Sequence, residues 1–180
     1  MAKVLILYGT TEGQTAGIAE VITDVIREMG HEAEAVDIKR VSDTLPDGYD
    51  AVIIGASIHM GKHDKHVVEF VHKNHDTLER LPSAFFSVSL AAQGDTQEAA
   101  GYVDRFEDET GWRPGRVALF GGALLYTHYG FIKRHMMKKI AGEKPGQLGT
   151  DTSRDYVYTE WDAVRRFAEH FAARLASTSV

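Results

Sequence analysis

The sequence contains no cysteine. This absence excludes disulfides, thiolate metal sites and a cysteine nucleophile, and it suits a reducing compartment, so we expect a cytoplasmic protein. No apolar run approaches the roughly 20 residues that span a bilayer, so no membrane-crossing helix is predicted. A strand-like run begins within the first residues of the chain, and we therefore expect no signal peptide.

Linkers, repeats and low-complexity tracts are also missing. Proline occurs only 4 times in 180 residues, no composition shift marks a boundary, and we expect one domain over residues 1–180. The formal net charge of −6 argues against binding to nucleic acid, because such binding depends on neutralising phosphates. The chain does have 43% hydrophobic residues, which suffice for a globular core.

Short apolar runs alternate with segments of helical periodicity, which is typical of βαβ units and a parallel sheet. The runs Val4–Tyr8 and Ala51–Gly55 are apolar on both faces, as central strands covered by helices require. Further strands are predicted at Glu32–Ile38, Ser83–Val88 and Arg116–Gly121. We predict an α/β fold with a doubly wound, five-stranded parallel sheet in the order 2-1-3-4-5.

Helices are predicted between these strands. The ranges are 13–29, 64–75, a helix after the fourth strand that carries Ala99, Tyr102, Val103 and Phe106, a short basic and apolar helix within 126–142, and a last helix near the carboxyl end. Thr159 and Asp162 have the spacing of a capping box for this last helix. The side chains that this helix is predicted to bury are Trp161, Val164, Phe167, Ala168, Phe171 and Leu175.

The first strand runs through Tyr8–Thr15 straight into a helix, whose free amides and dipole attract an anion. The candidate phosphate ligands are Thr10, Thr11, Glu12, Gly13, Gln14 and Thr15. Neither Gly-x-x-x-x-Gly-Lys-Ser/Thr nor Gly-x-Gly-x-x-Gly is present, which disfavours a nucleoside triphosphate or a dinucleotide. A terminal monophosphate fits best, and an ordinary βα turn with threonine caps is the alternative.

Two further loops are expected at the same edge, because carboxyl ends of parallel strands share one rim and ligands bind where the strand order reverses. The third strand ends in 55–63 and the fourth in 87–94, and both loops are rich in small residues. The candidate contacts to a flat heterocycle are Ser57, Ile58, His59, Met60, Gly61, Ser89, Leu90, Ala91 and Ala92. The alternative for each loop is a plain surface connection.

The segment 8–15 resembles the phosphate-binding loop of flavodoxins, with Thr10, Thr11, Gly13, Gln14 and Thr15 at matching places. Glu12 stands where flavodoxins usually have threonine, so its carboxylate is expected to point outward. The resemblance implies a flavodoxin-like fold with FMN as the cofactor.

Several segments resemble the flavodoxin-type, menaquinone-dependent protoporphyrinogen IX dehydrogenases. They are Gly55–Ile58 with Gly61, Pro82–Val88, Trp112–Pro114, Gly122–Leu124 and Val157–Trp161, and they extend over nearly the whole chain in the right order. This resemblance implies an FMN oxidoreductase of haem biosynthesis that oxidises protoporphyrinogen IX and reduces a quinone. The flavin itself would take hydride, and no side chain is predicted as a general base.

The substrate's propionates require cations, for which Lys62, Arg113, Lys133 and Arg134 are candidates, with ordinary surface charges as the alternative. The second loop lacks Trp and Tyr and carries His59, Lys62 and His63. Positive charge near a reduced flavin stabilises it, so we expect a flavin that accepts electrons from a substrate. The acidic segment 93–111, by contrast, is a poor partner for an anionic porphyrinogen.

Two other patterns leave alternatives open. His63/His66 and His72/His75 have i,i+3 spacing, but without a known metal motif they are predicted to be solvent-exposed, and no metal site is predicted. The basic, apolar segment 131–140 fits a peripheral contact with the inner face of the cell membrane, where a quinone is found. The alternative is a helix that packs Ile132, Met136 and Ile140 on the sheet.

Three rival functions remain at this point. One is a flavodoxin electron carrier whose acidic helix 95–109 docks partner proteins. Another is a flavodoxin-like NAD(P)H:quinone reductase, and the third is a binding module without redox chemistry.

Overall fold

The computed structural model describes residues 1–10, 13–143 and 148–177. Its strands are β1 (Lys3–Gly9), β2 (Glu32–Asp37), β3 (Ala51–His59), β4 (Lys62–His63), β5 (Ser83–Ser89), β6 (Val117–Gly121), β7 (Ala123–Leu124) and β8 (Tyr156–Val157). Its helices are α1 (Gln14–Glu28), α2 (Lys65–Arg80), α3 (Thr96–Thr110), α4 (Phe131–Glu143) and α5 (Trp161–Ser177). No helix among these residues has both the length and the apolar character needed to cross a membrane.

The central sheet has five parallel strands in the order β2-β1-β3-β5-β6. Numbered among themselves, these strands have the order 2-1-3-4-5, and the predicted fold class is confirmed. The order reverses between β1 and β3, and their carboxyl ends therefore border a crevice. The short strand β4 pairs antiparallel with the end of β3 and forms a hairpin at that crevice.

Each face of the sheet has its own core because successive strand residues point to opposite sides. From β1, Val4 and Ile6 join the core under α1 and α5, while Leu5 and Leu7 join the core under α2 and α3. All four are fully buried, and each such side chain contributes about 1.5–3 kcal/mol by leaving water. This double burial explains why β1 is apolar throughout.

After β6 the chain leaves the sheet and returns only at α5, and we call this part the 122–158 segment. Its strands β7 and β8 pair antiparallel, and α4 lies between them in the chain. The segment has a small core of its own, formed by Leu124, Tyr126, Tyr129, Ala141 and Leu148. A hydrogen bond from the Tyr126 hydroxyl to the Gly149 carbonyl (2.7 Å) fixes its fold further.

Two expectations about the helices are wrong. Trp161 is 41% exposed, because it occupies the first turn of α5, while the other predicted residues of that helix are buried. Ile132 is 82% exposed, so α4 does not pack it on the sheet. Met136 is exposed as well, and Ile140 faces a cavity described below. The helix is therefore available for another role than supporting the sheet.

Candidate functional site

Three loops meet at the carboxyl ends of β1, β3 and β5 and border one cavity of about 490 Å³, which we call the rim cavity. Its lining includes most of the predicted cofactor residues: Thr10, Gln14, Thr15, Ser57, Ile58, His59, Met60, Gly61, Ser89, Leu90 and Ala91. Gly13 and Ala92 are neighbours of these residues in the chain. Thr11 and Glu12 lie outside the described residues. The topology thus brings distant parts of the sequence to one place.

The first loop leads into α1 and leaves the backbone amides of the first helical turn uncapped. Gly13 has φ +90°, a left-handed conformation that glycine adopts without strain. Its amide donates to the Thr10 hydroxyl oxygen at 2.8 Å. Within the described residues, no side chain caps α1. The first amides of the helix therefore remain available to an anion, and the helix dipole favours one.

Two buried hydroxyls in the cavity wall have no hydrogen-bond partner among the described residues. They are the Thr15 Oγ1 and Ser57 Oγ atoms, one at the start of α1 and the other near the end of β3. An unsatisfied buried hydroxyl costs about 1–3 kcal/mol. Both residues line the rim cavity, so a polar ligand there can remove this cost. The pair fits FMN, because Thr15 would hold its phosphate and Ser57 a polar atom of its ring.

Thr159 holds the first loop in place, a role that differs from the predicted helix cap. The Gln14 side-chain amide donates to the Thr159 hydroxyl oxygen at 2.7 Å, and that hydroxyl donates to the Gly121 carbonyl at 2.7 Å. Thr159 is buried. The Thr159 hydroxyl donates its only proton to Gly121 of β6 and accepts from Gln14 of the first loop, so it links the loop to β6. Sequence reasoning missed this link because Gln14 and Thr159 are 145 positions apart.

The second loop is a tight hairpin between β3 and β4, in which Ile58 pairs with His63 and His59 with Lys62. Its two turn residues, Met60 (φ +52°) and Gly61 (φ +76°), both have positive φ, as in the hairpin turns that match strand twist. A methionine in this region costs roughly 1–2 kcal/mol. Its side chain is 73% exposed, so the turn presents an apolar group at the mouth of the rim cavity.

His63 was predicted to be exposed and to add positive charge near the flavin, and both predictions are wrong. The ring is buried, and its Nε2 atom lies 2.7 Å from the Ser87 Oγ atom. Burial, with a smaller effect from the positive charge of Arg105, lowers the pKa of His63 to about 4. The imidazole is therefore neutral at pH 7, and its hydrogen bond anchors the hairpin to β5.

The other predicted histidines lie at or near the surface. His66 and His72 are exposed and His75 is partly so. No group of three or more potential ligands among His, Asp and Glu comes together in the parts of the chain that the structure describes.

The 122–158 segment forms one wall of the rim cavity, and sequence reasoning missed this. Its contribution is Gly122, Ala123, Tyr129, Lys133, Met136, Met137 and Ile140. The Lys133 ammonium lies 4.6 Å from the centre of the Tyr129 ring. From α3, Glu98 and Tyr102 also reach the cavity, and the Tyr102 hydroxyl donates to Glu98 at 2.7 Å. Burial, followed by this hydrogen bond, raises the pKa of Tyr102 to about 12.

The acidic segment 93–111 borders the site through Glu98 and Tyr102. Most of it is the helix α3, which packs Val103 and Phe106 into the core shared with α2. The segment beside the cavity is 122–158, where six Lys and Arg residues face three Asp and Glu residues in the sequence. In the rim cavity itself, Lys133 of this segment and Glu98 of α3 both belong to the lining, so the acidic charge of 93–111 does not dominate the site.

The four predicted substrate cations separate in the structure. Lys133 lines the rim cavity, and Lys62 lies on the hairpin beside it. Arg134 instead donates to the backbone carbonyls of Tyr126 (3.1 Å) and Tyr129 (3.2 Å), so it supports the segment. Arg113 precedes β6, at the opposite edge of the sheet, where it pairs with acidic residues of α3. The structure does not bring Arg113 to the site.

Comparisons with known proteins agree with this geometry. The family model described as a flavodoxin domain matches residues 5–151. The chain is 38% identical over 173 residues to the protoporphyrinogen IX dehydrogenase (quinone) of Escherichia coli (strain K12), with 94% of each chain covered. It is 37% identical over 175 residues to the protein of the same name from Leishmania major, with 95% of this chain and 75% of that protein covered.

A solved flavodoxin from Streptococcus pneumoniae TIGR4 superposes with a TM-score of 0.57 at 18% identity, covering 98% of this chain and 99% of that one, and this likeness shows the fold. The open helix amides and the two unpaired hydroxyls fit FMN, the cofactor that a flavodoxin domain implies. On the sequence match and the fold together, the chain belongs to the flavodoxin domain family.

Proposed function

We propose that the chain is a single FMN-binding domain that oxidises protoporphyrinogen IX to protoporphyrin IX and passes the electrons to a quinone, as a step of haem biosynthesis. The match to the protoporphyrinogen IX dehydrogenase (quinone) of Escherichia coli covers 94% of each protein, so the two have nearly the same length. The structural observation that supports the proposal best is the wall that the 122–158 segment adds to the rim cavity. A cofactor site alone requires only the three loops, whereas this wall leaves a place for a large, partly apolar substrate.

The cofactor is held by the three loops. The amides at the start of α1 and the hydroxyls of Thr10 and Thr15 would hold the phosphate, with Gly13 and Gln14 beside them. Ser57–Gly61 of the second loop and Ser89–Ala92 of the third would hold the ring. Bound FMN supplies the group that accepts electrons, and the protein supplies placement and electrostatics.

The substrate lies between the flavin site and α4. Met136, Met137 and Ile140 face the cavity and offer adaptable apolar contacts to the methyl and vinyl groups of a porphyrinogen. Lys133, in the same wall, adds positive charge that draws an anionic substrate towards the cavity. Closing an apolar wall over the ring also excludes water from the place where electrons are transferred.

The quinone is reached through a peripheral contact of α4 with the membrane. Phe131 is 85% exposed and lies next to the exposed Ile132, in a helix that also carries Lys133, Lys138 and Lys139. Exposed apolar side chains beside lysines suit the interface of an anionic bilayer. These residues begin the same helix that borders the rim cavity, so a membrane quinone would meet the protein close to the flavin.

Flotation with liposomes of anionic and of neutral lipid tests this contact. We expect the wild type to float with anionic liposomes and the Phe131→Ser/Ile132→Ser double variant to remain at the bottom of the gradient. Met29→Ser, which removes an exposed apolar side chain at the carboxyl end of α1, is the control and should float like the wild type. Equal recovery of the double variant and the wild type would contradict the contact.

Anaerobic turnover of protoporphyrinogen IX by the FMN-loaded protein, with a soluble quinone as acceptor, tests the function itself. We expect porphyrin fluorescence to increase in proportion to the protein and to require both FMN and the quinone. No rate above that of free FMN would reject the proposal. Bleaching of the flavin by NADH or NADPH would instead support the quinone reductase, and reduction only by a partner reductase would support the electron carrier.

A further inference from the structure

A second cavity of about 620 Å³ lies on the other side of the hairpin. It shares Thr10, His59, Gly61 and Tyr102 with the rim cavity, so the two spaces adjoin along the hairpin. Its wall also includes Lys39 from the turn after β2, and residues from the start of α2 and from α3. We call it the cationic cavity because lysine and arginine outnumber acidic residues in its lining.

The positively charged residues of this cavity are Lys39, Lys62, Lys65 and Arg105, and its acidic ones are Asp64 and Glu109. Lys65 lies 3.6 Å from Glu69. In the described ranges, no carboxylate oxygen comes within 4.0 Å of a side-chain nitrogen of Lys39, Lys62 or Arg105. The Arg105 guanidinium instead lies 5.3 Å from the centre of the Tyr102 ring. Three cations therefore border the cavity without an acidic partner in that part of the chain.

Two other polar side chains of the cavity, Asp64 and His63, are already engaged. Asp64 caps α2 by accepting from the His66 and Val67 amides. The buried His63 uses its Nε2 atom on Ser87. Since the first amides of α2 are taken by Asp64, the cavity offers long side-chain cations rather than a ring of fixed amides. Such cations suit carboxylates at the ends of flexible arms better than they suit a tightly enclosed phosphate.

We propose that the cationic cavity binds the propionate carboxylates of the porphyrinogen, while the apolar part of the same molecule lies under α4 in the rim cavity. This inference rests on the proposed function and adds the orientation of its substrate. Protoporphyrinogen IX carries its propionates on neighbouring pyrrole rings and its vinyl groups on the others, so one edge of the molecule is anionic. The two adjoining cavities have the same division, with cations beyond the hairpin and Met136, Met137 and Ile140 opposite.

Binding of protoporphyrin IX and of its dimethyl ester to the FMN-loaded protein, measured by fluorescence, tests the orientation without requiring turnover. We expect Lys62→Ala and Arg105→Ala each to weaken binding of the diacid about five- to tenfold, as loss of a charge-assisted contact at a partly exposed site does. Binding of the ester, which lacks the charges, should change less than twofold. The loss for the diacid should diminish at high salt.

Matched controls are Lys73→Ala and Arg166→Ala, which remove exposed cations outside both cavities and should leave both affinities unchanged. Flavin absorbance shows in each case that the variant still folds and holds FMN. Equal losses for diacid and ester, or no loss for either, would overturn the orientation even if the wild type turns over porphyrinogen. A wild type that neither binds the diacid nor turns over porphyrinogen rejects the proposed function, and the inference with it.

Discussion

The three loops at the sheet and the 122–158 segment both border the rim cavity, but they are built differently. The loops end strands that are hydrogen-bonded on both sides and buried on both faces, so their positions follow from the whole sheet. The segment rests on a two-stranded pair and a small core that includes Tyr126 and Tyr129. Under the proposed function we therefore expect a division of labour, in which the sheet would hold FMN and the segment would select the substrate.

The largest effect is expected from a methyl group added inside the sheet. A Cβ atom at Gly55 would collide with the Phe86 ring, so Gly55→Ala should lower the free energy of unfolding by about 3 kcal/mol. A Cβ atom at Gly142, in α4, meets open space, and Gly142→Ala should be neutral or raise it by about 0.5–1 kcal/mol. Urea unfolding measures both. Equal effects would show that the sheet and the segment are equally constrained.

The pH dependence of stability tests the anchor of the hairpin to the sheet. The pKa of His63 falls from its ordinary value of 6.5 to about 4 in the folded protein, so the unfolded chain binds a proton first as the pH falls. The contribution is complete above pH 6.5 and is lost between 6.5 and 4, by at most about 3 kcal/mol. Urea unfolding over this range should show that loss in the wild type.

The variant His63→Gln should flatten this pH profile, because its side chain does not titrate. His66→Gln, which changes an exposed ring three positions later, at the start of α2, should retain the slope of the wild type. A profile that is unchanged in His63→Gln would show that other groups cause the loss of stability.

A smaller effect is expected at the cofactor loop, where one substitution should stabilise the apoprotein and weaken the binding of FMN. Thr15→Val removes an unpaired buried hydroxyl, so it should raise the unfolding free energy of the apoprotein by about 1 kcal/mol. It should weaken FMN binding about tenfold or more by deleting a donor to the phosphate. Thr23→Val is the control on the same helix, because the Thr23 hydroxyl already donates to Ala19 at 2.8 Å. It should leave FMN affinity unchanged.

The smallest effect should separate the segment from the sheet most clearly. Met136→Ser/Met137→Ser makes the wall of the cavity polar, so we expect KM for protoporphyrinogen to rise about five- to tenfold through lost apolar contact. FMN affinity should stay within twofold, since the loops of the sheet are untouched. Steady-state kinetics and flavin titration give the two values. A matching loss of FMN affinity would contradict the division of labour.

The sheet and its cofactor rim could be predicted because their causes are local or topological. The apolar runs of β1 and β3 identify central strands, and parallel strands place their carboxyl ends at one edge. For that reason Thr15 and Ser57 were placed together although 42 residues separate them. The wall from 122–158 could not be predicted in the same way, because α4 has a weak apolar pattern, with Phe131 and Ile132 exposed, and this pattern indicates no packing face.

By itself the sequence determined the strand order, the location of the three loops and the family, since periodicity, glycine positions and motif order act along the chain. Only the tertiary structure decided that His63 is buried against Ser87, that Thr159 holds Gln14 and that Arg113 lies at the far edge. These outcomes depend on which surfaces meet after the chain has folded. The residues next to it in the sequence do not determine which distant surface a side chain will contact.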